Sequence, residues 1–263
     1  MTTTVGLQED ARVQSAMAST TTSCLTSPIS QSLPPLANNL SNDGNKRLYI
    51  IRHGETDWNV KGKIQGGGFD IPLNANGRVQ AQMVAQELQD LPIGVVASSH
   101  LQRASETADM ILTALQQQQQ QQQQDPTTTT TKSIQRSIHK GLGEMSFGTF
   151  EGLAWRSETC DPLLKESFLS VSKQMTTDAA VGFPGDDGEN TLQVRARSLA
   201  AVQDIMETHA DQQHIAVVAH GRTNKVLLAA LLYEDVLEYR HLEQGSKCGI
   251  VVVVVVVVVV RRL

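Results

Sequence analysis

With 263 residues and a formal net charge of −5, the chain lacks the basic footprint that wholesale nucleic-acid binding needs. Its three cysteines, Cys24, Cys160 and Cys248, are far apart and form no CxxC pair, which argues against a disulfide frame or a zinc ribbon and fits a reducing compartment. Residues 1–46 are rich in Ser, Thr, Asn and Pro and poor in large apolar side chains, so a disordered tail is expected there. The remainder amounts to about one domain.

The N-terminus shows no basic start followed by an apolar segment, so no secretory signal is read and a cytoplasmic location is expected. A plastid or mitochondrial transit peptide is the alternative. It runs against Glu9 and Asp10, because such peptides avoid acids, and against the single arginine, Arg12, before Lys46.

The first element is the apolar run Leu48–Ile51, a short buried strand that ends in Arg52-His53-Gly54-Glu55-Thr56. In an α/β protein the carboxyl end of a strand is where ligands bind. Residues 57–71 read as a glycine-rich loop, including Gly66-Gly67-Gly68. Asn74 is a candidate N-cap for a helix in which Val79, Met83, Val84 and Leu88 recur at helical spacing, stopped before Pro92. Val95-Val96-Ala97 is a second strand, running through Ser98-Ser99-His100-Leu101-Gln102-Arg103 into a helix with Ala104, Ala108, Ile111, Leu112 and Leu115. Residues 116–132, unbroken glutamine and then mostly threonine, read as a low-complexity surface insertion through which self-association is conceivable.

His139 to Gly152 follows, rich in glycine, with Glu144 and Glu151 seven residues apart. Residues 155–175 are expected to be helical, with Asp161-Pro162 marking a turn. The loop Gly185–Asn190 leads into a long helix carrying Leu192, Val194, Leu199, Val202, Ile205 and Met206. Ile215–Ala219 is another buried strand, ending in His220-Gly221-Arg222 and followed by a helix through Val226, Leu227, Leu231 and Leu232. The polyvaline run Val251–Val260 favours a last strand starting near Gly249. It is too short for a membrane span, which takes about 20 apolar residues. Residues 251–263 are thus a last strand or an artefactual tail. Strands alternating with helices predict a single three-layer α/β domain, a mainly parallel sheet with helices on both faces, over residues 47–250.

Arginines beside histidines would repel a metal cation but attract a phosphate, which suits their planar forks. Neighbouring positive charge keeps His53 neutral and able to attack phosphorus. The leaving alcohol then needs a proton. A carboxyl beside a phosphate dianion holds its proton against like charge, and Glu144 is the first candidate, with Glu55 and Glu151 behind it.

These segments resemble the histidine phosphatase superfamily, the phosphoglycerate mutase-like enzymes. The resemblance rests on Arg52-His53-Gly54-Glu55-Thr56 with Trp58-Asn59; on Asp70-Ile71-Pro72-Leu73-Asn74 with Gly77 and Gln80-Ala81; on Ser98 to Ala104 with Thr107-Ala108; on Glu144 with Gly148 and Glu151-Gly152; and on Ala219-His220-Gly221. It runs from about Leu48 to Ile250, interrupted by the insertion. It implies that His53 is phosphorylated, that Arg52, Arg103 and His220 hold the phosphoryl oxygens with help from Asn59 and Gly221, and that Glu144 donates a proton and then activates water. It implies no metal and no other cofactor, a small phosphorylated metabolite as partner, and no membrane or nucleic acid. The chain departs from the family pattern at Gln65–Asp70, one residue longer than usual, and at Arg222, where a small residue is common.

Three functions compete. A phosphomonoester hydrolase is expected first. A mutase of the glycolytic type would carry an Arg-His-Tyr-Gly-Gly run after the acid, where this chain has Met145-Ser146-Phe147-Gly148-Thr149. A phospho-ligand-binding protein with a weak site would usually have lost one of the five residues, all of which are present. His100, His139, His209, His214 and His241 read as surface or satisfied residues, and Trp58 as packing beside the nucleophile loop.

Overall fold

The computed structural model describes residues 45–122, 133–233, 235–242 and 250–255, together with Thr22–Ser23. The expected tail at 1–46 lies outside these residues except at Thr22–Ser23, Asn45 and Lys46, as do the Thr tract at 127–131 and the polyvaline beyond Val255. Six strands form one sheet: β1 (Thr22–Ser23), β2 (Lys46–Arg52), β3 (Val95–Ser99), β4 (Gln135–His139), β5 (His214–Ala219) and β6 (Ile250–Val255), in the order β1-β6-β2-β5-β3-β4. The four strands β2, β5, β3 and β4 are mutually parallel. β6 runs antiparallel to β2, with Ile51 opposite Ile250, and β1 antiparallel to β6.

The helices are α1 (Asp57–Val60), α2 (Ala75–Leu88), α3 (Gln102–Gln122), α4 (Pro162–Gln174), α5 (Thr191–Thr208) and α6 (Gly221–Leu232). Successive strand residues point to opposite faces, and both faces here are covered. Tyr49, Ile51, Val96, Ala216 and Val218 pack with Val84, Leu88, Ala108 and Ile111 of α2 and α3. Leu48, Ile50, Val95, Ile215 and Val217 pack with Val202, Ile205 and Leu227 of α5 and α6. Burial on both sides is why these strands read as unbroken apolar runs. A third cluster, Ile64, Met145, Phe147, Phe150, Phe168, Met175, Phe183 and Tyr239 among others, sits away from the sheet. It consolidates the loops that wall the pocket described below.

Caps set the helix starts. The Asn74 side chain accepts from Gly77 N at 2.8 Å, a bond whose loss typically costs about 1 kcal/mol. Asn190 and Gln193 form a capping box at the start of α5. Four details differ from the sequence-based expectation. The stretch 57–71 is not all loop, because Thr56 and Asn59 form a capping box that starts the single turn of α1. Val79 and Met83 face outward at 53% and 39% exposure, and the buried face of α2 is instead Gly77, Ala81, Val84, Ala85 and Leu88; small residues let α2 approach its neighbours. Asp161-Pro162 is a helix start rather than a turn, with the carboxylate accepting from Leu163 N and Leu164 N. Finally, α3 does not stop at Leu115 but runs through the glutamines to Gln122. Glutamine is a good helix former, and the anchored turns before it supply the nucleus. Among the described residues no helix is long and apolar enough to cross a membrane.

Candidate active site

The register of two central strands assembles the site. β2 and β5 are parallel neighbours with Arg52 opposite Ala219. His53 and His220 are the next residue of each chain, and His53 N still donates to Ala219 O at 3.0 Å. Their rings therefore meet, with centroids 5.1 Å apart. Gly54 follows because the chain must pass close to another backbone. A Cβ at Gly54 would strike the Gly77 carbonyl, and one at Gly77 would strike Glu55 O. Gly54 N is held by Thr107 Oγ1 of α3 at 3.1 Å.

His53 is buried, and its Nδ1 lies 2.6 Å from Gly54 O. A carbonyl only accepts, so Nδ1 carries a proton, which in the neutral ring leaves the lone pair on Nε2. His220 is fully buried, and neither ring nitrogen has a hydrogen-bond partner among the described residues. Burial first, then the charge of Arg103, pushes its pKa well below the ordinary imidazole range, so the ring is neutral.

Arg103 comes from the first turn of α3, just past the end of β3, and is fully buried. Its Nη1 donates to Phe69 O at 2.9 Å and its Nη2 to Gly66 O at 3.1 Å, while Nε finds no acceptor among the described residues. Burial lowers its pKa to about 10, with Glu144 the largest opposing influence, so it is a cation at neutral pH. A buried guanidinium held only by carbonyls is costly unless an anion completes it.

Glu144 is nearly buried. Its Oε1 accepts from Met145 N, Thr223 N and Thr223 Oγ1 at 2.9, 3.0 and 3.1 Å, and its Oε2 from Arg222 N at 3.2 Å. Three of these four donors, two of them main-chain N–H groups, are in the first turn of α6, where a helix end favours negative charge. The loop before Glu144 is fixed by Arg197, which donates to Gly141 O and Gly143 O and pairs with Glu189.

A pocket of about 330 Å³ opens over these groups, lined by Arg52, His53, Asn59, Glu144 and Arg222 together with Lys63, Phe147, Trp155, Arg156 and Phe168. The predicted residues Arg52, His53, Asn59 and Glu144 thus share one cavity, with His220 against His53, Arg103 buried nearby, and Gly221 opening α6. Asn59 is also committed locally: its Oδ1 accepts from Thr56 N, and its Nδ2 reaches Gln65 Oε1 at 3.4 Å. The two fallback acids are elsewhere. Glu55 accepts from Asn74 and Asn76 at the start of α2. Glu151 ties Gly68 N and Phe147 N, against Gly66, where any Cβ would collide with its carboxylate. Burial raises its pKa.

Sequence reading missed Thr223, which bridges Gly143 O and Glu144, and Asn224, whose Nδ2 donates to Ile51 O at 3.1 Å. Their only signal was adjacency to His220-Gly221. No motif marks Lys63 or Arg156 as individual residues. Of the other histidines, His214 is buried and bonded to the Tyr49 hydroxyl at 2.8 Å, His209 is buried with Nε2 unpartnered among the described residues, and His139 contacts Asp204. His100 lies against Gly143, and burial is the chief reason its pKa is lowered. Trp58 packs on Phe69.

Comparison with known proteins agrees with this arrangement. Residues 48–256 match the model of the histidine phosphatase superfamily, branch 1. The chain is 33% identical over 175 residues to phosphoglycerate mutase-like protein 4 of Arabidopsis thaliana, covering 66% of each chain. It is 28% identical over 207 residues to a protein of the same plant named "Probable 2-carboxy-D-arabinitol-1-phosphatase", covering 79% of this chain but 37% of that one. The chain therefore spans no more than about two thirds of these two relatives. Among solved structures, phosphoserine phosphatase of Entamoeba histolytica in complex with 3-phosphoglyceric acid superposes with a TM-score of 0.58 at 26% identity, over 79% of this chain and 89% of that one. Strand-end histidines in register, a buried arginine near them and a family match across nearly the whole described core lead to one conclusion: this chain belongs to the histidine phosphatase superfamily.

Proposed function

We propose that this protein is a metal-independent phosphomonoester hydrolase that acts on a small phosphorylated metabolite through a phosphohistidine. The observation that carries the reading is the pairing of His53, with its proton fixed on Nδ1, with a neutral, unsatisfied His220 and a buried Arg103 cation. Nε2 of His53 attacks phosphorus, and the ester P–O bond breaks. The leaving alkoxide takes a proton from the Glu144 carboxyl, which holds that proton only once a phosphate dianion lies beside it and offsets the donors that otherwise favour its carboxylate. Arg52, Arg103 and one N–H of His220 neutralise the charge on the phosphoryl oxygens, as preorganised donors do in a water-poor site. Glu144, now a carboxylate, takes a proton from water as that water attacks phosphorus. The P–N bond breaks, releasing inorganic phosphate and restoring His53.

The test is hydrolysis of p-nitrophenyl phosphate by the full chain with chelator present, beside His53→Ala. Turnover that resists chelator and disappears in the variant is expected, together with an acid-labile, alkali-stable phosphoenzyme in the wild type. Activity surviving in His53→Ala would sink the assignment. Phosphate appearing on a second acceptor such as 2-phosphoglycerate, rather than in water, would replace the hydrolase by a mutase.

A further inference from the structure

Arg222 is the pocket cation that phosphoryl transfer leaves without work. Its guanidinium carbon lies 5.5 Å from the Tyr239 ring centre and 6.0 Å from that of Phe147, and its Nη1 donates to Tyr239 Oη at 3.4 Å. Tyr239 is itself buried, and its hydroxyl donates to Met175 O at 3.3 Å. Stacking on two rings holds the fork in place before any ligand arrives. The Arg222 main chain is fixed as well, because its N–H bonds to Glu144.

Around the pocket the charges do not balance. Arg52, Lys63, Arg156 and Arg222 line it against a single acid, Glu144. Lys63 and Arg156 also lean on aromatic rings, over Trp58 at 5.1 Å and Trp155 at 4.8 Å. No carboxylate pairs with Arg222, Lys63 or Arg156 among the described residues. Arg52 and the buried Arg103 already suffice for a phosphoryl dianion. A substrate with a neutral remainder would strip water from Arg222 and return nothing. A planar carboxylate would take its two parallel donors. The pocket, at about 330 Å³, is at the small end for ligand sites, so both anionic groups belong to one small molecule.

We propose that Arg222, supported by Arg156 and Lys63, is a specificity-determining residue that binds a carboxylate of the substrate a few bonds from its phosphoester. The inference rests on the phosphomonoester reading of the same pocket. It is tested with two esters that differ only in that group, 3-phosphoglycerate and glycerol 3-phosphate. Binding is measured by calorimetry to the full chain carrying His53→Ala, and turnover on the chain with His53 intact. The acid is expected to bind about tenfold or more tightly, since a charge-assisted hydrogen bond is worth that much. Adding Arg222→Gln should bring the ratio below about threefold, acting through KM rather than kcat. Arg222→Lys, which keeps the charge but not the fork, should retain part of the preference. Equal binding of the two esters, or a ratio unchanged by Arg222→Gln, would overturn the proposal. A binding preference without turnover would keep it and sink the hydrolase; turnover of both esters at equal kcat/KM would do the reverse.

Discussion

At the floor of the pocket, His53 and His220 stand one residue beyond paired strand ends, buried in the molecule, with His53 N in the ladder to Ala219 O and His220 O accepting from Asn224 N in the first turn of α6. At the rim, Arg156 is exposed, and Lys63 and Trp155 come from loops that share no strand with the floor. The floor is rigid because moving it means breaking the sheet. The rim is held by ring stacking and side-chain packing, which tolerate exchange. The proposed chemistry therefore falls where geometry is over-determined, and the proposed selectivity where it can vary.

The sharpest way to break that contrast is at the floor. Glu144→Gln removes the proposed proton donor and should lower kcat by about a hundred- to ten-thousand-fold. An ester with a good leaving group, such as p-nitrophenyl phosphate, should be less affected in the phosphorylation step, seen as a burst in rapid-quench kinetics. Equal losses on both esters, with no burst, would mean that Glu144 only positions α6.

Next comes the backbone contact beneath the nucleophile. Gly54→Ala places a methyl against the Gly77 carbonyl, and neither main chain can yield cheaply. A loss of about 1–3 kcal/mol is expected, read as a lower midpoint in urea. An unchanged midpoint would show that the floor is more pliable than the sheet register implies.

The buried histidines set a pH dependence. His220 is held well below the ordinary value of 6.5, and His100 and His139 are also lowered, each chiefly by burial. Between the folded values and about 6.5 the unfolded chain binds more protons than the fold. Stability is thus fully present above about pH 6.5 and declines as pH falls, until the folded values are passed. Thermal melts from pH 7.5 to 5 should show a falling midpoint, with a shallower slope in His220→Asn. The same slope in that variant would remove His220 from the account.

The smallest effect belongs to the rim. Arg156→Ala, an exposed side chain over Trp155, should change KM by less than about threefold, and high salt should erase the difference. A larger, salt-resistant loss would move Arg156 from rim to floor.

Much of the floor was legible in the sequence. Apolar runs ending in Arg52-His53-Gly54 and His220-Gly221 declare buried strands with polar ends, because a strand covered on both faces has no other pattern available. The alternation of strands and helices likewise pointed to the mainly parallel three-layer architecture, while the sequence left Glu144 as the first of three candidate acids, with Glu55 and Glu151 behind it. What the sequence could not settle depended on atoms without side-chain signatures. The acceptors for Arg103 are the carbonyls of Phe69 and Gly66, and two donors to Glu144 are main-chain N–H groups of α6. Any residue type presents those groups, so only the packed backbone reveals them. Val79 and Met83 fit a helical stripe yet face outward, because the face that packs was chosen by the small residues Gly77, Ala81 and Ala85. The end of α3 was misplaced for the converse reason: glutamine continues a helix whose start is anchored elsewhere. Tertiary structure alone brought Lys63, Arg156 and Arg222 to one opening from three distant parts of the chain, since charge complementarity across a pocket is a property of distance in space and leaves no period in the sequence.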